Sequence, residues 1–452
     1  MKIIIAGDGK VGSALTRKLS SEGYDLTVID SDKSVLESSA EKYDVIALQG
    51  NCAAMDTLKE AGVESANLLI AATSADEVNL LCCMTAHGLN PNLHTIARIR
   101  NPEYIDQIYE MRDFFALSLS VNPERQAANE MERLLRYPGF LKRESFAGGR
   151  VEIVELKLEE GSKLCNVSLI EMNSIVKCRV LVCAVLRDGV AITPGGNFVL
   201  KEGDRIFVTA PTNTLSTLLK NLGIITRKAN RVIICGGGRI SYYLAQQLLK
   251  SNINVKVVDS DYNTCVHLAS MLPDATIIHG DASDHELLES EGLADCDALV
   301  TATGIDELNM IVSLYGSQLS DCRVITKVSH IANSHVIDTL ALGSIVCPKE
   351  LCSDTIVQYV RAMDNQSGAA TSVHSIADGQ IEAIEFIVDK NTLNIGKQFK
   401  NIKLKKNVLI AAIIHGARCE IPAGDSSFSQ GDTLIIVTGR ENVLRQLNDI
   451  FE

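Results

Sequence analysis

Residues 2–33, laid without gaps over residues 231–262, agree at ten of 32 positions. The first stretch reads Lys2-Ile-Ile-Ile-Ala-Gly-Asp-Gly-Lys-Val-Gly12, and the second Arg231-Val-Ile-Ile-Cys-Gly-Gly-Gly-Arg-Ile-Ser241. The match continues in order. Asp30-Ser31-Asp32 meets Asp259-Ser260-Asp261, Gly50-Asn51 meets Gly280-Asp281, and Ala72-Thr73 meets Ala302-Thr303. Self-similarity at so long a period means one structural unit is present twice. It constrains the fold more tightly than length, which at about 150 residues per domain suggests only about three domains.

Within each copy, short apolar runs alternate with helical periodicity. In the first copy they fall at 3–6, 26–29, 45–48 and 68–72, bounded by Gly, Asp or Asn. That alternation predicts an α/β fold, a parallel sheet with helices on both faces. After Asn122-Pro123, one stripe carries Ala127, Ala128, Met131, Leu134 and Leu135. Pro348 opens a like stretch with Cys352, Ile356, Tyr359, Val360 and Met363. A proline at the start, and stops at Pro138-Gly139 and 365–368, define two helices. Their apolar faces require burial against another domain or chain. Each helix leads into a β-rich block. In the first, 151–158 alternates and Arg187-Asp188-Gly189 is a hairpin signal between 180–186 and 190–193; the second spans 381–438. The expected division is therefore an α/β domain at 1–123, a small α+β domain at 140–226, and their repeats at 230–348 and 368–452.

Composition removes several function classes. The 43 basic against 56 acidic residues leave a net charge of −13, which presents no basic footprint for nucleic acid. Mean hydropathy is +0.12, yet the apolar runs fall far short of the ~18 residues that span a bilayer. Met1-Lys2 leads straight into Ile3-Ile4-Ile5, which predicts no signal peptide. Thirteen Cys are scattered without a Cys-x-x-Cys pair, so buried free thiols are expected rather than a zinc site.

The nucleotide chemistry lies in the two glycine loops. Gly7-x-Gly9-x-x-Gly12 follows a strand and opens a helix. The first Gly permits the tight turn, the second lets backbone approach a pyrophosphate, and the third lets helix and strand pack closely. Asp30, at the end of the next strand, can accept both adenosine ribose hydroxyls and would repel a 2′-phosphate, favouring NAD over NADP. Thr73 and Ser74 follow the fourth strand, at the carboxyl edge where open α/β sheets bind ligands. Arg98 either neutralises pyrophosphate or forms a surface ion pair. Asp8 is discordant, because an acid between the glycines disfavours phosphate unless it points to solvent or to Lys10. In the second copy Gly236, Gly237 and Gly238 are intact, and Ser241 at the third position demands wider helix packing. Asp259 keeps the acid, Thr303 matches Thr73, and Lys327 stands where Arg98 stands. These changes predict altered affinity or an altered ligand.

Gly-Asp-Gly-Lys-Val-Gly, Asp30-x-Asp32, Gly50-Asn51, Ala72-Thr73 and Ala97-Arg98-Ile99-Arg100-Asn101-Pro102-Glu103 together resemble the RCK (KTN) ligand-binding domains that regulate potassium transport. The tandem arrangement, each domain followed by a smaller one, is similar to the regulatory subunits of Trk-type potassium uptake systems. The resemblance covers essentially the whole chain. It implies a non-enzymatic cytoplasmic subunit, peripheral on the inner face of the plasma membrane, that forms a homo-oligomeric ring, a tetramer. The implied partner is an integral-membrane, potassium-translocating subunit of the TrkH/TrkG type. The implied ligands are NAD(H) at the first site and NAD(H) or ATP/ADP at the second. Carried over by position, Gly7, Asp8, Gly9, Lys10, Val11, Gly12, Asp30, Asn51, Thr73, Ser74 and Arg98 would line the first pocket. Gly236, Gly237, Gly238, Arg239, Ile240, Asp259, Asp281, Thr303 and Lys327 would line the second.

The competing class is an NAD-dependent dehydrogenase acting on a small metabolite, since a fold does not fix function. Hydride transfer usually needs a proton donor titrating near neutrality. No His occurs between 95 and 266, and the β-rich blocks hold only His374 and His415, neither with a carboxylate at relay spacing in the sequence. His267, His279 and His285 are expected on loops or helix surfaces. Asp76-Glu77 and Asp306-Glu307 fit helix N-termini, with a cation as the other possible partner.

Overall fold

The computed structural model describes all residues except 137–141, 224–228, 320, 321, 330–339, 341, 365–369, 417, 440, 443 and 445. The first half opens on six parallel strands, Lys2–Ala6, Asp25–Asp30, Ile46–Gln49, Leu68–Ala71, His94–Arg98 and Leu119–Val121. They lie in the order 3-2-1-4-5-6. The second half repeats that order with Arg231–Cys235, Asn254–Asp259, Thr276–His279, Ala298–Thr301, Arg323–Lys327 and Ser344–Val346. Residues Ile3 to Ala6 are all buried, because helices cover both faces and leave no polar side to alternate with. The order reverses between strands 1 and 4, and that reversal opens a crevice at their carboxyl ends. Gly7 and Thr73 meet there, as do Gly236 and Thr303. This is the fold that the alternation predicts.

The β-rich blocks are five-stranded sheets in which neighbours run antiparallel. Numbered within each block, the first is ordered 4-3-5-2-1 and the second 1-2-5-3-4, the same order read from opposite edges. Asp188 (φ 52°) and Gly189 (φ 76°) form the expected two-residue hairpin turn, joining Leu181–Arg187 to Val190–Ile192. Phe146, Cys183 and Phe207 of one sheet share a core with Ile376, Ala383 and Ile435 of the other. The chain thus forms two compact units, each joining like with like. One holds Met1–Glu132 with Asn230–Val357; the other holds Arg133–Ala229 with Gln358–Glu452.

The two striped stretches are the helices Pro123–Arg136 and Pro348–Asp364. The stop signals drawn after them lie outside the described residues. Their apolar faces are buried within the chain itself, with Ala127, Ala128, Met131, Cys352 and Ile356 each at 0% exposure. Each helix crosses to the opposite half. Asn129 accepts from Gln247 Nε2 at 2.7 Å, on the helix Arg239–Lys250 that follows the second glycine loop. Reciprocally, Lys18 on Lys10–Ser21 pairs with Glu350 at 2.8 Å and Asp354 at 2.6 Å. Gln126 and Thr355 join the two crossing helices. Truncating Met131 to Ala therefore removes contacts inside the chain. The expected loss is about 2–5 kcal/mol of stability, read as a lower urea midpoint for the unit carrying the parallel sheets. An unchanged midpoint would mean that this face carries no core.

Candidate functional site

Each glycine loop is held from behind by its own acid. Asp30 Oδ2 accepts the Asp8 amide at 2.7 Å, and Oδ1 accepts the Asp32 amide at 2.9 Å. Asp259 does the same with the amides of Gly237 (2.5 Å) and Asp261 (2.8 Å). The acids read from the sequence as ribose acceptors are thus also loop braces. Each carboxylate oxygen keeps a further acceptor position for a hydroxyl. Gly7 adopts φ +93° and Gly236 φ +102°, and a Cβ on either would come within 2.8 Å of the Thr73 or Thr303 amide nitrogen.

The opposite lip of each crevice is tied by a residue that the sequence reading missed. Asn79 Oδ1 accepts from the Thr73 amide (2.8 Å) and hydroxyl (2.7 Å), while its Nδ2 donates to the Arg98 carbonyl at 2.8 Å. Asn309 repeats every contact with Thr303 and Lys327. The signal was present, since both Asn follow the Asp-Glu pairs aligned in the repeat. Arg98 donates to the Thr73 carbonyl, as Lys327 Nζ does to Thr303 at 3.2 Å. Burial, with Arg100 beside it, lowers the pKa of the Arg98 guanidinium. Asp76 Oδ2 accepts the Arg100 and Asn101 amides, and Asp306 pairs with Lys327 at 3.2 Å. These acids close the lip. Among the described residues no cluster of three or more acids, His or Cys is arranged for a metal ion.

Asp8 corrects an expectation. Its side chain reaches neither solvent nor Lys10 but turns inward, 1% exposed, accepting from Ser39 Oγ (2.5 Å) and Thr16 Oγ1 (3.1 Å). The matching residues of the second half are Gly237, Ala245 and Leu268, so the whole polar trio is exchanged for an apolar one. A Cβ at Gly237 would come within 2.8 Å of Leu268 and Thr264. Desolvation raises the Asp8 pKa, against the two hydroxyl bonds that lower it. The folded state therefore favours the protonated acid. The stability cost of the charge is full above the folded pKa and vanishes below the unfolded value near ~4. Asp8→Asn is expected to melt above the wild type at pH 7, with the gap closing as pH falls toward 4. A variant that melts lower at pH 7 would mean the hydroxyl bonds outweigh the burial.

Within the unit of paired parallel sheets, one cleft of about 1160 Å³ opens on the second loop. Every residue expected at the second site lines it: Gly236, Gly237, Gly238, Arg239, Ile240, Asp259, Asp281, Thr303 and Lys327. His267 lines it as well. Of the first-site residues only Lys10, Val11 and Arg98 do so, joined by Arg100 and Glu124. Gly7, Gly9, Gly12, Asp30, Asn51, Thr73 and Ser74 are not on this wall, and Asp8 lines a separate cavity of about 470 Å³. Asn51 caps its own turn by accepting the Ala53 amide, as Asp281 does with Ser283. The cleft is strongly cationic, with Lys10, Arg98, Arg100, Arg239, Lys327 and Lys349 against Glu124, Asp259 and Asp281. On its first-half wall, Arg98 Nε and Glu124 Oε2 are buried without a hydrogen-bond partner, while Arg100 Nε faces Asp76 Oδ1 at 4.0 Å. Native interiors rarely leave such atoms unpaired unless water or a ligand meets them. The chamber can hold a multiply charged anion with hydroxyl groups.

Two histidines also correct the sequence reading. His374 Nδ1 lies 2.7 Å from Glu144, and His415 Nδ1 lies 2.8 Å from Asp432, so both have carboxylate partners. The fold supplies partners that sequence spacing hides. Both pairs belong to the antiparallel-sheet unit, not to the unit holding the glycine loops. His279 bonds to the Ser260 carbonyl, and His285 stacks on Tyr315 with ring centroids 3.9 Å apart.

Fold and repeat together define a tandem protein of two open parallel α/β sheets, each followed by a small antiparallel sheet. The TrkA-N domain profile matches residues 3–114 and 232–348, and the TrkA-C domain profile matches 153–223. The Trk system potassium uptake protein TrkA homolog of Archaeoglobus fulgidus is 31% identical over 452 residues, all of both chains. The Trk system potassium uptake protein TrkA of Haemophilus influenzae is 30% identical over 461 residues, covering 100% of this chain and 99% of that protein. The solved GsuK channel bound to NAD superposes with a TM-score of 0.63 at 18% identity, covering 97% of this chain and 77% of that one. The chain belongs to the TrkA family. Among the described residues, no helix is long and apolar enough to cross a membrane.

Proposed function

We propose that this chain is the cytoplasmic, nucleotide-binding regulatory subunit of a Trk-type potassium uptake system, peripheral to a membrane subunit through which potassium passes. The observation that carries the reading is the cationic cleft at the second glycine loop, with Asp259 at its ribose position, in a chain related over its full length to potassium uptake proteins. Residues 1–123 and 230–348 serve as the ligand-binding domains, and 140–226 and 368–452 as the smaller domains that follow them. The first loop takes NAD(H) through Asp30. The second takes NAD(H) or ATP/ADP, its phosphates facing Arg239 and Lys327. The chain is not an enzyme in this reading: binding is its output, transmitted through a ring of copies to the membrane partner. The NAD named for the GsuK channel supports a dinucleotide as ligand.

The test is calorimetric titration with NAD, NADH, ATP, ADP and NADP. Two binding events per chain are expected, of unequal affinity because Gly237 and Ser241 replace Asp8 and Gly12. NADP should bind more weakly than NAD, since the acids repel a 2′-phosphate. Absence of binding by all five ligands would overturn the reading, and tighter NADP binding would remove the ribose role of the acids.

A further inference from the structure

We propose that Tyr243 is a positioning residue that couples the two nucleotide sites; this rests on the reading that both loops bind nucleotide. Tyr243 lies on Arg239–Lys250, the helix that the second glycine loop opens, and is 6% exposed. Its hydroxyl leaves its own half altogether. It donates to the Arg100 carbonyl at 3.1 Å and accepts from Asn122 Nδ2 at 3.1 Å. Asn122 in turn caps the crossing helix Pro123–Arg136 by accepting the Arg125 amide at 2.8 Å.

Arg100 carries the contact into the first site. Its amide donates to Asp76 at 2.8 Å, and its guanidinium donates to the Ser74 carbonyl at 2.7 Å. Ser74 adjoins Thr73, whose amide nitrogen a Cβ on Gly7 would approach within 2.7 Å. A phosphate on the second loop bears on the N-terminus of Arg239–Lys250, and any shift of that helix moves the Tyr243 hydroxyl against the lip of the first crevice. The position matching Tyr243 in the first half is Ala14, which has no hydroxyl to make the return contact. Coupling through it acts equally in both directions, since linkage between two binding equilibria is reciprocal.

The experiment measures ATP affinity by calorimetry on the full chain at rising NADH, for wild type and Tyr243→Phe. Coupling predicts a change in ATP affinity that levels off as NADH saturates, at about 5-fold or more, the lower end for coupled sites. Tyr243→Phe should bring that ratio close to one while leaving each nucleotide's separate affinity within about twofold. A tyrosine that only stabilises the fold would lower the melting temperature and leave the ratio intact, which would overturn the proposal. So would a wild-type ratio of one, or an ATP affinity that falls without limit as NADH rises, which means competition for one site. Failure of both ligands to bind defeats the nucleotide reading instead, whereas failure of one alone overturns the coupling and leaves that reading standing. Should Tyr243→Phe not fold, Asn122→Ser keeps a capping oxygen for Arg125 while removing the amide donor to Tyr243. A partial loss of coupling is expected from it, because the Tyr243 hydroxyl still donates to the Arg100 carbonyl, and an unchanged ratio would overturn the proposal.

Discussion

Gly12→Ser is expected to weaken nucleotide binding at the first loop at least ~100-fold, although serine is the native residue at the matching position of the second. A Cβ on Gly12 would lie 1.9 Å from the Gly7 carbonyl oxygen, a backbone atom that cannot step aside. The helix must move by more than an ångström, which shifts its amides from the phosphate position of a loop built around glycine. The second loop is built around serine from the start, with Gly237 in place of Asp8: Ser241 sits there with 0% exposure, its hydroxyl buried without a partner. We expect at least ~100-fold weaker binding at the first site, about 2.7 kcal/mol, with about 1–3 kcal/mol of stability lost to overpacking. Calorimetric stoichiometry should fall from two to one. A variant that still binds two nucleotides with unchanged affinity would show that the first loop, like the second, tolerates the wider packing of helix and loop.

Asp30→Ala has the next largest expected effect, and it acts twice. The substitution leaves the amides of Asp8 and Asp32 without acceptors. The exposed Asp32 amide turns to water, but the part-buried Asp8 amide left without an acceptor costs roughly 1–3 kcal/mol, so the loop loosens even without ligand. It also removes the ribose acceptor, weakening NAD by about 1.5–3 kcal/mol, the scale of a charged hydrogen bond. Melting and titration separate the two effects. Asp30→Asn keeps one side-chain oxygen, which can accept only one of the two amides, and should fall between wild type and Asp30→Ala in both measurements. An unchanged NAD affinity in a folded Asp30→Ala would place the ribose elsewhere.

Much of the fold was legible because the relevant signals are local. Short strands bounded by Gly and Asp, a glycine loop opening a helix, and Asp188-Gly189 between apolar runs each specify their structure within a few residues. The repeat then doubled every signal and supplied the pairing of Arg98 with Lys327, which do bond to equivalent carbonyls. What escaped was non-local. Nothing near Met131 says that its helix crosses to the other half, and nothing near His374 says that Glu144 will meet it. The direction of Asp8 escaped for another reason. Its partners Thr16 and Ser39 are small polar residues on helices, where they read as unremarkable. Only their joint replacement by Ala245 and Leu268 opposite Gly237 marks them as one device. Asn79 and Asn309 were visible as identities in the repeat, but a side chain that ties two strand ends has no periodicity to announce it.

The central claim is that nucleotide state, read at these loops, sets potassium flux through a membrane partner. The most direct measurement is potassium uptake into vesicles holding a Trk-type integral-membrane subunit, with this chain absent, added alone, added with NADH, or added with ATP. Flux is expected to depend on the chain and to differ between the two nucleotides, and Gly12→Ser together with Asp259→Ala is expected to remove the difference. Flux that is the same with and without the chain, or indifferent to both nucleotides, would contradict it.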